Sequence, residues 1–303
     1  MRIHVPVRGS LWPVLLSLVA IAGATGSGLY AQAGAREATM YVSAVDQKGE
    51  PVPNLTIEDV AVREDGAARE VLRVSRAVEP LDIAILVDDS AASDGVIPRV
   101  REGLTAFNAV MSKGNQIAMV GLADRPRILV DYTSAPERLR DGIGLLWQHT
   151  QSGSTLLDGL FEVARGLQRR ESPRAVIVAL VTDGADFSSR RYEQTIAELG
   201  RAQVALHVIS VGNFNQLDDD ELRNRARMLA EGTTVTGGQR VNVLTPTAVQ
   251  PALERLAREL SSQYKVVFGR PESLIPPKRT DVSARRPGLI LRGTLERASG
   301  RSK

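Results

Sequence analysis

The sequence predicts an α/β fold: a doubly wound, mostly parallel sheet with helices on both faces, joined to a small antiparallel β-unit from the N- and C-terminal segments. Three observations carry this. "LDIAILV" (residues 81–87) and "RAVIVALVT" (174–182) are almost continuously apolar, the pattern of strands covered on both faces. Between and after them lie segments with apolar residues at spacings of three and four, so strands and helices alternate along the chain. Toward both ends, polar and apolar residues alternate instead, as in half-exposed antiparallel strands.

Residues 1–33 stand apart from the fold. They carry Arg2 and Arg8, no acid, and an apolar stretch from Leu11 to Ala24 interrupted by Pro13 and Ser17. That stretch falls short of the roughly 20 residues a spanning helix needs. Ala31-Gln32-Ala33 has the small-x-small pattern of a signal-peptidase site, so a signal peptide cleaved after Ala33 is expected, with an uncleaved anchor as the alternative. The protein is then expected to be exported, periplasmic or secreted, with no stable membrane anchor after cleavage.

Residues 34–80 form the N-terminal β segment. "ATMYVSAVD", "DVAVRED" and "REVLRVSRAV" read as strands, with a turn at Asp65-Gly66-Ala67. Residues 81–264 form the α/β domain. After "LDIAILV", Val96, Val100, Leu104, Phe107 and Met111 mark a helix with Pro98 in its first turn. "QIAMVGL" and "RILVD" are strands joined through "ADRP" as a hairpin, and a Pro136-led helix runs to about Trp147. A helix from Thr155, the strand "RAVIVALVT", a helix near 190–201, the strand "VALHVISVG" and a helix from Asp218 to Glu231 follow. After "GGQRV" comes a long amphipathic helix from Thr247 to about Ser262. Residues 265–303 return to β-structure with "QYKVVFG", "RTDVSA" and "GLILRG" and pack with 34–80.

Composition excludes several classes. The chain has 38 basic and 35 acidic residues, and losing Arg2 and Arg8 with the leader takes the net charge from +3 to +1. The densest basic cluster, "RNRAR" at 223–227, reads as the solvated face of a helix, and no groove-reading or stacking motif accompanies it, so no nucleic-acid partner is expected. There is no cysteine, hence no disulfide, thiolate metal site or thiol nucleophile. A chain of this length buries enough apolar surface to fold without disulfides.

Three oxygen-rich turns fall at strand ends or helix starts: Asp88-Asp89-Ser90, then Thr155 in "QSGSTLLDG", then Asp183 in "VTDGADFSS". In an open α/β sheet such turns gather at the carboxyl ends of the strands, near the point where strand order reverses. Carboxylates and hydroxyls are ligands for a hard cation such as Mg²⁺, and the same groups also cap helices and bind loop amides.

"ILVDDSAAS…GSTLLDGL…VTDGADFSS" resembles the von Willebrand factor A family and its metal-ion-dependent adhesion site, whose pattern is Asp-x-Ser-x-Ser, a Thr on a second loop and an Asp on a third. Asp88, Ser90, Thr155 and Asp183 match; Ala92 stands where the family has its second Ser. "VSAVDQKGEPVPNLTIEDVAVREDGAAREVLRV" and "LERLARELSSQYKVVFGRP" are similar to the outer segments of bacterial secreted proteins of this family. The resemblance implies a Mg²⁺ or Mn²⁺ ion at Asp88, Ser90, Thr155 and Asp183 that engages an Asp or Glu carboxylate of a partner protein. Asp89, His149 and Asp186 are the candidates for touching that partner. The loss of an oxygen at Ala92 leaves a metal-free site open, and with it a structural or interaction scaffold of the cell envelope.

An enzyme and a small-molecule substrate are not expected. Of the three histidines, His4 lies in the leader, His207 in an apolar strand and His149 in a loop with no matched nucleophile. "GSTLLDG" is not a G-x-S-x-G elbow, and no phosphate-binding glycine loop is present. A metal-assisted hydrolase is the second alternative; it needs more strong ligands than this cluster shows.

Overall fold

The computed structural model describes residues 36–212, 220–272 and 275–297; the expected leader and the start of the helix expected from Asp218 lie outside the described residues. The elements are β1 (Arg36–Val45), β2 (Val60–Glu64), β3 (Ala67–Arg69), β4 (Val71–Arg76), β5 (Asp82–Val87), α1 (Ile97–Met111), β6 (Gln116–Gly121) and β7 (Arg127–Thr133). Then come α2 (Pro136–Gly144), α3 (Leu156–Arg169), β8 (Ala175–Thr182), α4 (Tyr192–Ala202), β9 (Val204–Val211) and α5 (Asp220–Val235). The chain continues with β10 (Arg240–Val243), α6 (Val249–Ser261), β11 (Tyr264–Arg270), β12 (Thr280–Ala284) and β13 (Ile290–Leu295).

Six strands form the central sheet in the order β10-β9-β8-β5-β6-β7. All neighbours are parallel except β6 and β7, the hairpin through "ADRP". Alternate residues of the apolar strands face opposite cores. Ile83, Ile85, Val87, Val176 and Val178 pack under α1, α2 and α6. Ala84, Leu86, Ile177, Ala179 and Val181 pack under α3, α4 and α5. This two-sided burial is why the strands read as unbroken apolar runs. From β5 the chain moves to β6 on one side and later returns to β8 on the other. The strand order therefore reverses beside β5, and the loops after β5 and β8 open a crevice at their carboxyl ends.

Both ends of the described chain build the second unit. β1 lies between β11 and β13, with β4 beyond β11, all antiparallel, and β12-β2-β3 form a smaller sheet. Their core holds Met40, Val42, Val60, Val62, Val266 and Phe268. Arg174 at the start of β8 ties this unit to the α/β body, donating to the carbonyls of Glu79 at 2.7 Å and Leu260 at 2.9 Å and to Gln263 Oε1 at 2.8 Å. Arg292 of β13 adds an ion pair with Glu259 of α6 at 2.8 Å. No helix among the described residues is long and apolar enough to cross a membrane.

The turn between β2 and β3 holds Asp65 at φ 47° and Gly66 at φ 83°, as two-residue hairpins favour. A Cβ at Gly66 would meet nothing within 4 Å, so Gly66→Ala tests backbone strain alone. It is expected to lower stability by about 1 kcal/mol in denaturant melts.

Candidate functional site

The first loop begins where β5 ends. Asp88 is buried, and its carboxylate accepts from the Ser90 amide at 3.2 Å, the Thr182 amide at 3.2 Å and the Thr182 hydroxyl at 2.6 Å. It therefore locks the end of β5 to the end of β8. The Ser90 carbonyl accepts from the amide and hydroxyl of Ser93, closing a tight turn, and the Ser90 side chain is buried beside it.

Asp89 points to the other neighbour. Its Oδ1 accepts from the amides of Leu122 at 2.9 Å and Ala123 at 2.8 Å, and its Oδ2 from Arg127 Nη2 at 2.5 Å. Arg127 Nη2 also lies 2.9 Å from His149 Nε2; a guanidinium only donates, so the imidazole accepts there. The His149 amide donates to the Asp89 carbonyl. Asp89, expected at a partner surface, is thus fully buried and fastens β6, β7 and the second loop to the first.

Thr155 sits at the N-cap of α3, as its sequence context suggests, but its hydroxyl donates to the Leu122 carbonyl at 2.7 Å rather than capping the helix. The cap comes from the third loop. Asp186 accepts from the Leu156 amide at 3.0 Å, and the Ser188 hydroxyl accepts from Leu157 and Asp158. Asp186 is buried, and burial pushes its carboxyl up from the ordinary carboxylate range. Ser154 bridges Ala123 and Asp186, so the second loop is held between β6 and the third loop. Phe187 lies on Gly153, where a Cβ would come within 1.7 Å of its ring.

Asp183 and Ala92 hold the remaining family positions. Asp183 is exposed at the end of β8, and its carboxylate lies against Gly212 after β9, where a Cβ would stand 2.5 Å from Oδ2. Ala92 turns its methyl onto Gly184 of the third loop, so this contact is made by carbon.

One residue at this site is not legible from the oxygen motifs. Arg225 of α5 is only 2% exposed, and its guanidinium donates to the carbonyls of Thr182 and Gly184 and lies 4.0 Å from Asp88 Oδ2. The "RNRAR" cluster is therefore not wholly a solvated face. Arg225 precedes Met228 and Leu229 by three and four residues, both buried, and that spacing is the signal that could have found it.

Asp88 is already engaged by three hydrogen bonds and a buried cation; unit charges about 4 Å apart interact by about 4 kcal/mol at an effective dielectric near 20. Ala92 offers no oxygen, which leaves the hydroxyls of Ser90 and Thr155 and the Asp183 carboxylate against Gly212. Among the described residues no group of three or more His, Asp or Glu side chains is placed to hold a metal ion. A cation at this face would be held by the hydroxyls of Ser90 and Thr155 and by the Asp183 carboxylate, with Asp88 and Arg225 paired beside it.

The family model of the von Willebrand factor type A domain matches residues 82–237, from β5 to the end of α5. No curated protein matches the chain in sequence. Among solved structures, a von Willebrand factor type A protein from Catenulispora acidiphila is 13% identical over 88% of this chain and 74% of its own, with a TM-score of 0.48. The pilus adhesin SpaC from Lactobacillus rhamnosus GG is 11% identical over 82% of this chain and 48% of its own, at 0.48. The vWF domain of the type V pili tip protein Mfa5 from Porphyromonas gingivalis is 14% identical over 61% of this chain and 96% of its own, at 0.46. The chain thus spans about half the length of SpaC. With more than half of its residues matched from the first strand of the central sheet onward, the chain belongs to the von Willebrand factor type A domain family.

Proposed function

We propose that this protein is a binding module that recognises a partner protein through the loop face at the carboxyl ends of β5, β6 and β8, without a resident divalent cation. The observation that carries this reading is the contrast between the face's interior and its rim. Inside, Asp88, Asp89, Asp186 and Arg225 are buried and bonded to the loops. At the rim, Trp147 and Phe187 are each 63% exposed. Large exposed aromatic side chains on a rigid support are the usual anchors of protein interfaces. Both are well supported: Arg101 stacks 4.2 Å from the Trp147 ring, Gln148 holds the Ala91 carbonyl at 2.8 Å, and Phe187 rests on Gly153.

A partner carboxylate, expected from the sequence to meet a metal, would instead meet Arg127. This side chain is 32% exposed beside His149 and binds Asp89 through Nη2, leaving its other N–H groups for a bidentate contact. Turnover forms no part of this reading: among the described residues neither His149 nor His207 is hydrogen-bonded to a nucleophilic hydroxyl or amine. Export to the periplasm or beyond belongs to the same reading and rests on the leader pattern of residues 1–33.

A photo-cross-linking residue placed at Phe187 in the native cells tests this. A discrete protein adduct is expected from Phe187 and none from Val78, which is 85% exposed after β4, away from the loop face. Equal labelling from both positions, or an adduct from Val78 alone, contradicts the assignment of the face.

A further inference from the structure

We infer that Arg225 is a built-in cation of the loop face, holding in place by a side chain what a divalent ion would otherwise hold. This rests on reading that face as metal-free and names the residue responsible. The guanidinium reaches from α5 beneath the third loop and binds the carbonyls of Thr182 and Gly184, the residues on either side of Asp183. It also lies 4.0 Å from Asp88, which closes the link between the ends of β5 and β8 through Thr182. One fixed positive charge therefore joins the first and third loops, and it arrives with folding rather than with a ligand.

A second guanidinium stands close by. Arg240 of β10 donates to Ser210 at 3.1 Å, and it is held below the ordinary arginine range first by burial and then by repulsion from Arg225. A divalent ion would be a third source of positive charge in this corner. Arginine is suited to the role because its planar fork satisfies several acceptors at once and does not lose its charge. Ala92 then takes a different meaning. Its missing hydroxyl is permitted because no ion needs it.

This order of cause separates Arg225 from Ala92 by experiment. Mg²⁺ and Mn²⁺ are titrated calorimetrically into the full chain as wild type, as Ala92→Ser, and as Ala92→Ser with Arg225→Met. The first two are expected to show no saturable binding. The third is expected to bind saturably or, if it does not fold alone, to regain a cooperative melt when Mn²⁺ is added. Saturable binding by the wild type overturns the inference, because ion and arginine would then coexist. Saturable binding by Ala92→Ser overturns it too, because the missing hydroxyl would then be what excludes the ion. A third form that folds alone and binds neither ion also overturns it. If that form stays unfolded in both conditions, the first two titrations decide: binding in either overturns the inference, and none in both supports it. The adduct from Phe187 is scored separately, so the docking face can fail while the cation assignment stands, and the reverse.

Discussion

Asp89→Ala is expected to lower stability by about 2–4 kcal/mol, the scale of losing a buried carboxylate that accepts three hydrogen bonds and leaving an amide buried and unpaired. Three donors each lose an acceptor at once. The Ala123 amide is left buried without a bond, the Leu122 amide keeps only the Val87 carbonyl, and Arg127 loses its carboxylate. The effect reaches the surface through His149, whose ring accepts from the same Arg127 nitrogen. Denaturant melts should show the loss as a lower midpoint. Asp94→Ala, on an exposed carboxylate of the first loop, should stay within about 0.5 kcal/mol of wild type. Equal, small effects at both positions would mean that Asp89 does not fasten the loops.

The second large effect is a dependence on pH. His207 lies in β9 at 1% exposure with both ring nitrogens unpaired, and burial pushes its pKa down to about 4. Nearby Glu259 opposes that shift and Arg292 reinforces it. The unfolded imidazole takes up its proton near pH 6.5 while the folded one stays neutral until about pH 4. Stability therefore falls as pH drops from about 6.5 toward 4, by about 2 kcal/mol at pH 5. His207→Leu should remove this contribution, because an apolar side chain at the same place has no proton to gain and leaves no ring nitrogen unpaired. Denaturant melts at pH 7 and pH 5 measure it: a wild-type difference that persists unchanged in His207→Leu would contradict the assignment.

The fold was legible where burial is two-sided or strictly alternating. "LDIAILV" and "RAVIVALVT" became adjacent central strands, and the alternating ends became the antiparallel sheets. The edge strand β10 has little sequence signal, because "RVNV" is four residues long and follows Gly237, Gly238 and Gln239. The helix led by Pro136 ends at Gly144 instead of reaching Trp147, which leaves the tryptophan on the second loop and exposed. At the site, the oxygen motifs fixed which loops meet, since Asp88 and Thr182 bond across the ends of β5 and β8. They did not show what each acid does there. Asp186 caps α3, thirty residues before it, and Asp89 pairs with Arg127 from the neighbouring hairpin. Those bonds are long-range, and no local spacing announces them. Arg225 was hidden for the same reason, as one arginine in a basic cluster whose partner carbonyls lie on another element.

The most direct test of the central claim is the yield of the Phe187 cross-link measured in Mg²⁺ and again in EDTA. The same adduct at the same yield is expected in both if Arg225, Asp88 and Asp89 hold the face without an ion. An adduct that forms in Mg²⁺ and disappears in EDTA would contradict it.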